Sequence, residues 1–553
     1  MYEPPAEGEG GAPEPPAERE EPPPLRGALL ARVMEGARSR REGWLWFAAV
    51  LGVFAAALLW RWHFASRARV YTYDSYYYLL LARNLRHGLS YSVAGHPHYK
   101  YMPFYPVCIA AFDLFLPLEA AGKLSNLVFN AACVFPIYAL GALVLGRRAG
   151  LAAAALFAFE PISSVWAAVP MSDGLLALLT CLAAYFFLKW FKQEDGRTRH
   201  LYLSAAAAGL ALLTRWEGAL LLLLLGAFLL YAWAKKRLKF ANLLIFAAIA
   251  LAPMALFALR NLITFGTPLK SAYLEELRNH PEWAEYTTPK ARFFHYLIFS
   301  DVPPLGITVR YYNYGYLLFG YAGLAFTLAV RRYRRYGLFL AGWLLLLGPT
   351  HFFWYFSNVR FLIPAVPALC LGAGALVGMP WVSARRARDG IALSAVLLLL
   401  VACVVGVLAL TGRPVANDRF YSNIALLENG EGGLATLQAV EWLKENAGDA
   451  GVASRMAPMV SFYLGREVYF IGEYQGFEPA DLRIDHVVED ARALGVRYIL
   501  LWSYEPDVEG VMAYSGQGPE VAEQLELVGR WEAAPTTQWN RTVYAWIFAV
   551  PPE

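Results

Sequence analysis

A carboxylate and an amine stand in one tyrosine-rich stretch in the first part of the chain. Asp74 lies in Val70-Tyr-Thr-Tyr-Asp-Ser-Tyr-Tyr-Tyr78, and Lys100 lies in His96-Pro-His-Tyr-Lys-Tyr-Met-Pro-Phe-Tyr-Pro106. A carboxylate in such a loop can act as a general base towards a hydroxyl group. Lysine and arginine hold phosphate groups through charge-assisted hydrogen bonds. The stretch therefore predicts a reaction in which a hydroxyl is activated while a phosphate is held.

Other ionisable residues stand at the ends of apolar segments, where a charge is costly in hydrocarbon and tends to mark function. Stabilising the charge that develops on a departing phosphate is expected to supply most of the catalytic gain. The candidate catalytic residues are Asp74, Asp173 and Glu160. The candidates for binding the substrate or its phosphate are Lys100, Arg215, Arg260, Arg360, Tyr101 and Tyr105.

Each of these residues also has an ordinary structural interpretation. A lone aspartate in a loop is commonly solvated, and an arginine at a helix end commonly extends to the lipid headgroups. The tyrosines around Asp74 are also typical of an aromatic belt at a membrane surface. The prediction of an active site therefore depends on these residues lying together rather than on any one of them.

The elements that must position these residues are membrane helices. The chain has 553 residues, of which 58% are hydrophobic and 17% are charged, against about 25% charged residues in a typical soluble protein. The apolar residues come in runs of about 15–25, which is the length that crosses a bilayer. The net charge of +4 is small and spread over many loops, so the sequence does not indicate a nucleic-acid partner.

The hydrophobic pattern predicts about eleven transmembrane helices. The first begins near Trp44, where the preceding arginines indicate a cytoplasmic N-terminus and a signal anchor. The other predicted helices cover roughly 122–145, 149–169, 173–191, 201–214, 216–234, 240–263, 312–330, 336–352, 359–380 and 391–411. The short apolar stretch 102–118 contains Pro103, Pro106 and Asp113. We interpret it as a re-entrant or interfacial helix, although a true crossing there is nearly as well supported.

The flanking charges orient these helices. Basic clusters such as Arg331–Arg335 are typical of cytoplasmic loops. The loops 65–100 and 266–310 and all residues after 412 then fall outside the cytoplasm, as do the candidate site residues. The sequence therefore predicts a multi-pass protein of the cell membrane whose site faces away from the cytoplasm.

Three regions follow from the composition. Residues 1–43 form a disordered, acidic and proline-rich cytoplasmic tail that ends in a basic juxtamembrane segment. Residues 44–411 form the transmembrane catalytic domain. Residues 412–553 form a small extracytoplasmic α/β domain, because predicted strands alternate with helices there. These elements are a helix at Leu434–Asn446, helical spacing near Asp485–Leu494, and strands at Val468–Ile471, Tyr498–Trp502 and Val543–Val550.

The C-terminal region shows no nucleophile elbow, phosphate loop or metal motif, so a structural or acceptor-docking role is favoured over an independent enzyme. The five cysteines lie in apolar segments without ligand spacing and are expected to be small buried hydrophobic residues. No residue is assigned as a metal ligand. Asp74 and Asp173 could share a divalent metal, but nothing in their spacing shows one.

Several motifs, taken in order, resemble the GT-C superfamily of glycosyltransferases. The similarity extends over roughly 44–411 and is closest to the protein O-mannosyltransferase and lipid A aminoarabinose transferase branch, a family 39-like group. The motifs that carry it are Tyr73–Gly88, Tyr101–Pro106, Met171–Gly174, Leu213–Gly218, Arg260–Pro268 and Val359–Pro367. The predicted fold is thus a mainly α-helical polytopic GT-C membrane protein with a small C-terminal α/β domain.

The resemblance implies a sugar donor carried on a polyprenyl phosphate and an inverting transfer of a hexosyl or pentosyl group. By position, Asp74 would be the catalytic acid/base residue. Lys100 and Arg360 would contact the lipid phosphate. Asp173 would supply a second carboxylate, and Arg215 is a weaker match for phosphate binding.

The chain also departs from the family pattern. Asp74 is followed by serine where several relatives have glutamate, so a second carboxylate from this loop or from Glu160 stays an open alternative. The Trp-Trp-Asp signature of oligosaccharyltransferases is absent, which argues against transfer of a whole oligosaccharide to asparagine. Some relatives need a divalent metal and others do not.

The expected function is transfer of a sugar from a polyprenyl-phosphate carrier to an acceptor hydroxyl on a protein, a glycan or a lipid. A transporter or flippase of a lipid-linked substrate is the main alternative, because it too places charges in the membrane. Transporters usually show inverted repeats with broken helices at mid-bilayer, and no such repeat relates the two halves of this chain. A membrane scaffold for the C-terminal region is a third hypothesis.

Overall fold

The computed structural model of the chain is mainly helical. It describes residues 25–68, 71–193, 197–279, 319–348, 359–377, 433–472, 480–536 and 541–552. Two compact units are present, Met1–Ala49 and Val50–Glu553. The described part of the first unit belongs to helix α1, which runs from Leu25 to Ala65.

The second unit begins with a series of helices and one short hairpin. After α1 the chain forms α2 (Tyr73–Gly88), β1 (Ser92–Val93), β2 (His96–Pro97), α3 (Phe104–Phe112), α4 (Leu118–Ala132), α5 (Val134–Val144), α6 (Arg147–Ala158), α7 (Pro161–Trp166), α8 (Asp173–Lys192), α9 (Arg199–Leu212), α10 (Gly218–Ala234), α11 (Phe240–Phe265) and α12 (Ala272–Asn279). Then follow α13 (Phe319–Ala329), α14 (Arg334–Leu347), a 3₁₀ turn (Val359–Leu362) and α15 (Val366–Val377).

Four helical stretches in the described ranges are long and apolar enough to cross a membrane. They are Glu42–Ala65, Leu118–Val144, Asp173–Lys192 and Phe240–Phe265. Shorter apolar helices are Gly218–Ala234, Phe319–Ala329 and Val366–Val377. The chain is thus a helical membrane protein by length and composition, whereas the number of eleven crossings stays a prediction. The predicted segment 391–411 lies outside the described residues.

The stretch that we predicted as re-entrant or interfacial contains only the nine residues of α3. At 1.5 Å per residue this helix is about 13 Å long, less than half of the roughly 30 Å hydrocarbon core. The helix is therefore too short to cross a bilayer by itself.

Small residues let neighbouring helices of the second unit approach closely. A Cβ atom on Gly141 of α5 would come within 2.5 Å of the Gly150 Cα in α6. Such contacts between small residues are typical of membrane helices, where association depends on close packing because lipid tails are as apolar as the side chains. A larger residue at Gly141 would push α5 and α6 apart.

The C-terminal part of the chain forms a five-stranded sheet with helices. Its elements are α16 (Gly433–Asn446), β3 (Gly451–Ser454), α17 (Ala457–Leu464), β4 (Tyr469–Phe470), a 3₁₀ turn (Ile484–His486), α18 (Val487–Ala493), β5 (Val496–Ser503), α19 (Val508–Tyr514), α20 (Pro519–Glu523), β6 (Glu526–Thr536) and β7 (Arg541–Ala549). The strand order is β4-β3-β5-β7-β6. Strands β4, β3 and β5 are parallel, while β5 with β7 and β6 with β7 are antiparallel.

The alternation of strands and helices in this region agrees with the sequence pattern, although β3 and β6 were not predicted. The helix at 434–446 and the strand at 498–502 fall on α16 and β5. The sheet and the preceding helices belong to one compact unit. The division of the chain into three domains therefore stays a prediction. Within the described part, Cys108, Cys133, Cys181 and Cys370 are free thiols. Cys403 lies outside it.

Candidate active site

Asp74 lies in the first turn of α2, where the partial positive charge of the helix N-terminus favours an anion. Its Oδ2 accepts a hydrogen bond from Arg360 Nη2 at 2.6 Å. Its Oδ1 accepts one from the Tyr101 hydroxyl at 2.7 Å. The carboxylate therefore has a cation on one oxygen and a neutral donor on the other.

These neighbours determine the ionisation of Asp74. Burial by itself would raise the pKa of this carboxyl, but the charges of Arg360 and Lys100 and the two hydrogen bonds outweigh burial and hold the pKa below its ordinary value. Burial, reinforced by the charge of Asp74, raises the pKa of the Tyr101 phenol well above its ordinary value. At neutral pH Asp74 is thus a carboxylate, and the protonated Tyr101 hydroxyl donates a hydrogen bond to it.

A second ion pair lies beside the first. The Arg215 Nη1 is 3.2 Å from the Asp173 Oδ1, and its Nη2 is 2.6 Å from the Glu217 Oε1. Arg215 and Arg360 both lie against the ring of Phe361, with their guanidinium carbons 5.6 Å and 5.2 Å from its centroid. Such cation–π contacts stabilise a guanidinium away from water. Two arginines are therefore held around one ring.

Asp173 opens α8 and is only 1% exposed. Neither of its carboxylate oxygens has a hydrogen bond to another described residue. An anion that is buried with one ion-pair partner and incomplete hydrogen bonding is costly. The preceding Ser172 makes a 2.9 Å hydroxyl contact with Tyr78 of α2, so this buried carboxylate is packed next to the helix that carries Asp74.

Lys100 follows the β1–β2 hairpin and pairs with Glu276 of α12. Both side chains are buried, with 7% of Lys100 and none of Glu276 exposed. The ammonium also lies 5.6 Å from the centre of the Tyr101 ring and 5.7 Å from that of Tyr273. Lys100 therefore forms an ion pair with Glu276 and lies near two tyrosine rings.

Arg260 donates hydrogen bonds to this loop, and no contact among the described residues joins it to Asp74 or Asp173. Its Nη1 donates to the backbone oxygen of His98 at 2.8 Å, and its Nη2 donates to that of Tyr91 at 3.1 Å. These two carbonyls flank the hairpin β1–β2. Arg260 therefore joins the end of α11 to the segment that presents Lys100.

Tyr105 contacts residues of α2 and α4. Its hydroxyl is 3.4 Å from the backbone oxygen of Gly122 and from the hydroxyl of Ser125. Its ring packs edge-to-face on Tyr78, with 5.1 Å between centroids. The residue thus packs α3 against α2 and α4.

Glu160 caps a helix. Its two carboxylate oxygens accept from the backbone nitrogens of Ile162 and Ser163, at 3.1 Å and 2.6 Å, at the start of α7. Pro161 occupies the first turn, a position where the missing N–H is no loss. The helix predicted over 149–169 is therefore interrupted at Glu160, because α6 ends at Ala158 and α7 begins at Pro161. The described contacts, however, do not join Glu160 to Asp74.

Arg61 is a buried cation with a structural role that the sequence did not reveal. It is fully buried and donates to the backbone oxygen of Ala158 at 2.7 Å and to Asn130 Oδ1 at 2.8 Å. It satisfies backbone carbonyls at the end of α6. Arg61 thus stabilises the end of α6, while Glu160 caps the start of α7. The sequence feature that could have identified Arg61 is its position inside an apolar helix, where a cation is costly.

Glu276 was missed as well. It lies 176 residues from Lys100 in the sequence. No local sequence feature distinguishes Glu276 from the neighbouring Glu275. Among the described residues, no group of three or more histidine, cysteine, aspartate or glutamate side chains is arranged to hold a metal ion. Asp74 and Asp173 each face an arginine instead. His351 and Asn358, polar residues that precede Arg360 in the sequence, lie outside the described residues.

Comparison with known proteins identifies the fold. Residues 101–257 match the family model described as dolichyl-phosphate-mannose-protein mannosyltransferase. ArnT from Cupriavidus metallidurans, solved bound to undecaprenyl phosphate, is 16% identical with a TM-score of 0.54 over 92% of this chain and 99% of that chain. The oligosaccharyltransferase AglB from Archaeoglobus fulgidus, solved with an inhibitory peptide and a dolichol-phosphate, is 14% identical with a TM-score of 0.54 over 89% and 74%. The chain has the GT-C glycosyltransferase fold.

The resemblance to GT-C enzymes inferred from the motifs is therefore confirmed. Apo ArnT gives a similar result, with 16% identity and a TM-score of 0.56. No protein of curated function matches the sequence significantly. The family-model match covers Tyr101, Asp173 and Arg215 but begins after Asp74 and Lys100. The roles proposed for those two residues therefore rest on the geometry of this chain.

Proposed function

We propose that the protein transfers a sugar from a polyprenyl-phosphate carrier to an acceptor hydroxyl on the extracytoplasmic side of the membrane. The observation that supports this most is the pairing of Asp74 with Arg360 and Tyr101. It sets an ionised carboxylate next to a buried cation, and the charge of Lys100 also acts on that carboxylate. The fold comparison with ArnT and AglB, and the phosphorylated lipids named for both, support a lipid-linked donor.

In the proposed reaction Asp74 takes the proton of the acceptor hydroxyl as its oxygen attacks the anomeric carbon. The bond between that carbon and the carrier phosphate breaks, and the phosphate leaves with the bonding electrons. Arg360 and Lys100 stabilise its growing negative charge. Attack on the face opposite the phosphate inverts the anomeric centre.

The remaining candidates have supporting roles in this proposal. Arg215 and Asp173 form the ion pair beside Arg360, and the shared packing on Phe361 keeps the two guanidinium groups in place. Arg260 positions the Lys100 loop. Basic clusters on the opposite side of the predicted helices support the extracytoplasmic location.

The test is the substitution Asp74→Asn in the full-length protein. It removes the base while keeping the size of the side chain, so transfer of radiolabelled sugar from polyprenyl phosphate should fall by about 10²-fold or more. The matched control is Asp113→Asn. Asp113 is itself buried and also forms a 2.6 Å ion pair with an arginine, the partly exposed Arg86, but that pair is separate from the pair of Asp74 and Arg360.

Expression and membrane insertion of both variants should equal those of the unchanged protein. An Asp74→Asn protein that keeps more than about a tenth of the activity would exclude Asp74 as the general base. Loss of activity in both variants to the same degree would point to a general structural effect instead.

A further inference from the structure

A small cavity lies in the C-terminal sheet, at the carboxyl ends of two neighbouring parallel strands. Strands β3 and β5 end at Ser454 and Ser503. The cavity measures about 240 Å³ and is lined by Arg455, Leu501, Trp502, Tyr514 and Ser515. The carboxyl ends of parallel strands are where open α/β sheets commonly bind ligands.

Aromatic rings form one side of this cavity. The Tyr514 ring packs edge-to-face on Trp502 and on Tyr504, with centroids 5.3 Å and 5.9 Å apart. Tyr514 is 43% exposed, so part of its ring is open to a ligand. The C–H face of a pyranose ring packs well on such an apolar surface. A volume below the roughly 300–1,000 Å³ of drug-sized sites suits a single ring.

One polar side chain of the lining is fixed beside these rings. The Arg455 Nη1 donates to the backbone oxygen of Tyr514 at 3.4 Å, which keeps the guanidinium at the cavity. A guanidinium carries several N–H donors, and sugar hydroxyl oxygens can accept from them.

The cavity is also connected to the helix that bears Asp74. Arg455 lies in the short link between β3 and α17, and α17 packs against α2. Tyr463 of α17 makes a 3.2 Å hydroxyl contact with Tyr76, and Phe462 packs on the same ring at 5.8 Å between centroids. A ligand at Arg455 would therefore be one eight-residue helix away from the helix of the candidate active site.

We propose that this cavity binds one pyranose ring of a glycan-bearing acceptor. The acceptor role rests on the proposed function, whereas binding of the sugar does not. The site combines exposed aromatic surface with a guanidinium, at the carboxyl ends of parallel strands where open α/β sheets commonly bind ligands.

The experiment is saturation-transfer NMR on the full-length protein in a detergent without a sugar headgroup. The probes are the methyl pyranosides of mannose, glucose and galactose. At least one should bind, and Tyr514→Ala should weaken its binding about tenfold, which is the loss expected for an aromatic contact. Tyr514→Phe, which keeps the ring, should bind nearly normally.

Arg497→Gln is the matched control, because Arg497 is an exposed arginine at the opposite end of β5. It should leave binding unchanged. Asp74→Asn should also bind the probe, since the cavity is separate from the transfer site. Failure of all three probes, or equal loss in Tyr514→Ala and Arg497→Gln, would overturn the proposal while leaving the role of Asp74 untouched. Loss of binding in Asp74→Asn but not in Tyr514→Ala would move the sugar to the transfer site.

Discussion

The ion pair between Lys100 and Glu276 leads to a quantitative prediction about donor binding. Lys100 is proposed to hold the lipid phosphate, yet its ammonium is already paired with a fully buried carboxylate. A phosphate that reaches Lys100 must approach that carboxylate or displace it. The substitution Glu276→Gln removes the negative charge and keeps an oxygen that can accept from Lys100. It should therefore make the lipid phosphate bind more tightly.

The size of the effect follows from Coulomb's law. If the Glu276 carboxylate and the lipid phosphate both contact the Lys100 ammonium, they lie roughly 6 Å apart. At an effective dielectric constant near 20, the repulsion between one negative charge on each group is about 3 kcal/mol. Relief of only half of this corresponds to about a tenfold lower Kd, because 1.4 kcal/mol is a factor of ten. The phosphate charge exceeds one unit in its dianionic form, so a larger gain is also consistent with the structure.

The assay is equilibrium binding of a short polyprenyl phosphate to the purified full-length protein. Glu275→Gln is the control, because Glu275 precedes Glu276 on α12 and contacts Tyr99 instead of Lys100. It should leave the Kd within about twofold. Lys100→Met should weaken binding in both backgrounds, and its effect should be larger in Glu276→Gln, where the ammonium is no longer shared with a carboxylate.

Two results would refute this reasoning. A Kd in Glu276→Gln that is unchanged or higher would mean that the carboxylate orients Lys100 for the phosphate rather than competing with it. An equal gain in Glu275→Gln and Glu276→Gln would mean that the negative charge of α12 acts in general and that the buried pair has no special part.

Two further predictions concern Tyr101 and Glu160. Because the Tyr101 hydroxyl is one of the groups that lower the pKa of Asp74, Tyr101→Phe should raise that pKa and move the acid limb of the kcat/KM profile to higher pH; an unmoved limb would mean that another group titrates. Glu160→Ala should remove a helix cap worth about 0.5–2 kcal/mol and lower the Tm in detergent, while activity per folded molecule stays near normal. A hundredfold loss of that activity would return Glu160 to the catalytic set.

The local pattern predicted much of the architecture. Apolar runs between charged or proline-containing breaks became helices, and α8 begins at Asp173 as its position before an apolar run suggested. The structure adds a break at Glu160, where Pro161 begins a new helix. These features depend on neighbours in the sequence: helix propensity, the missing N–H of Pro161 and the cost of charge in hydrocarbon act over a few residues.

The partners of the site residues could not be obtained in the same way. Arg360 is 286 residues from Asp74, and the family motifs predicted that both belong to one site without showing that they touch. Glu160 was assigned a possible catalytic role because its charge was visible, whereas only its hydrogen bonds to α7 reveal a cap. Glu276 carried no local signal at all.

The amino-acid sequence by itself thus determined that this is a helical membrane protein with a GT-C resemblance, and which ionisable residues stand at helix ends. The resemblance rests on the motifs, whereas composition and periodicity are sufficient for the membrane helices and their charged ends, because burial of apolar surface and the cost of unpaired charge act on every segment separately. Only the tertiary structure decided which charges neutralise one another. Packing between helices that are distant in the sequence selects one pairing among many cations and carboxylates. Through that packing Asp74 pairs with Arg360, whereas Glu160 caps a helix.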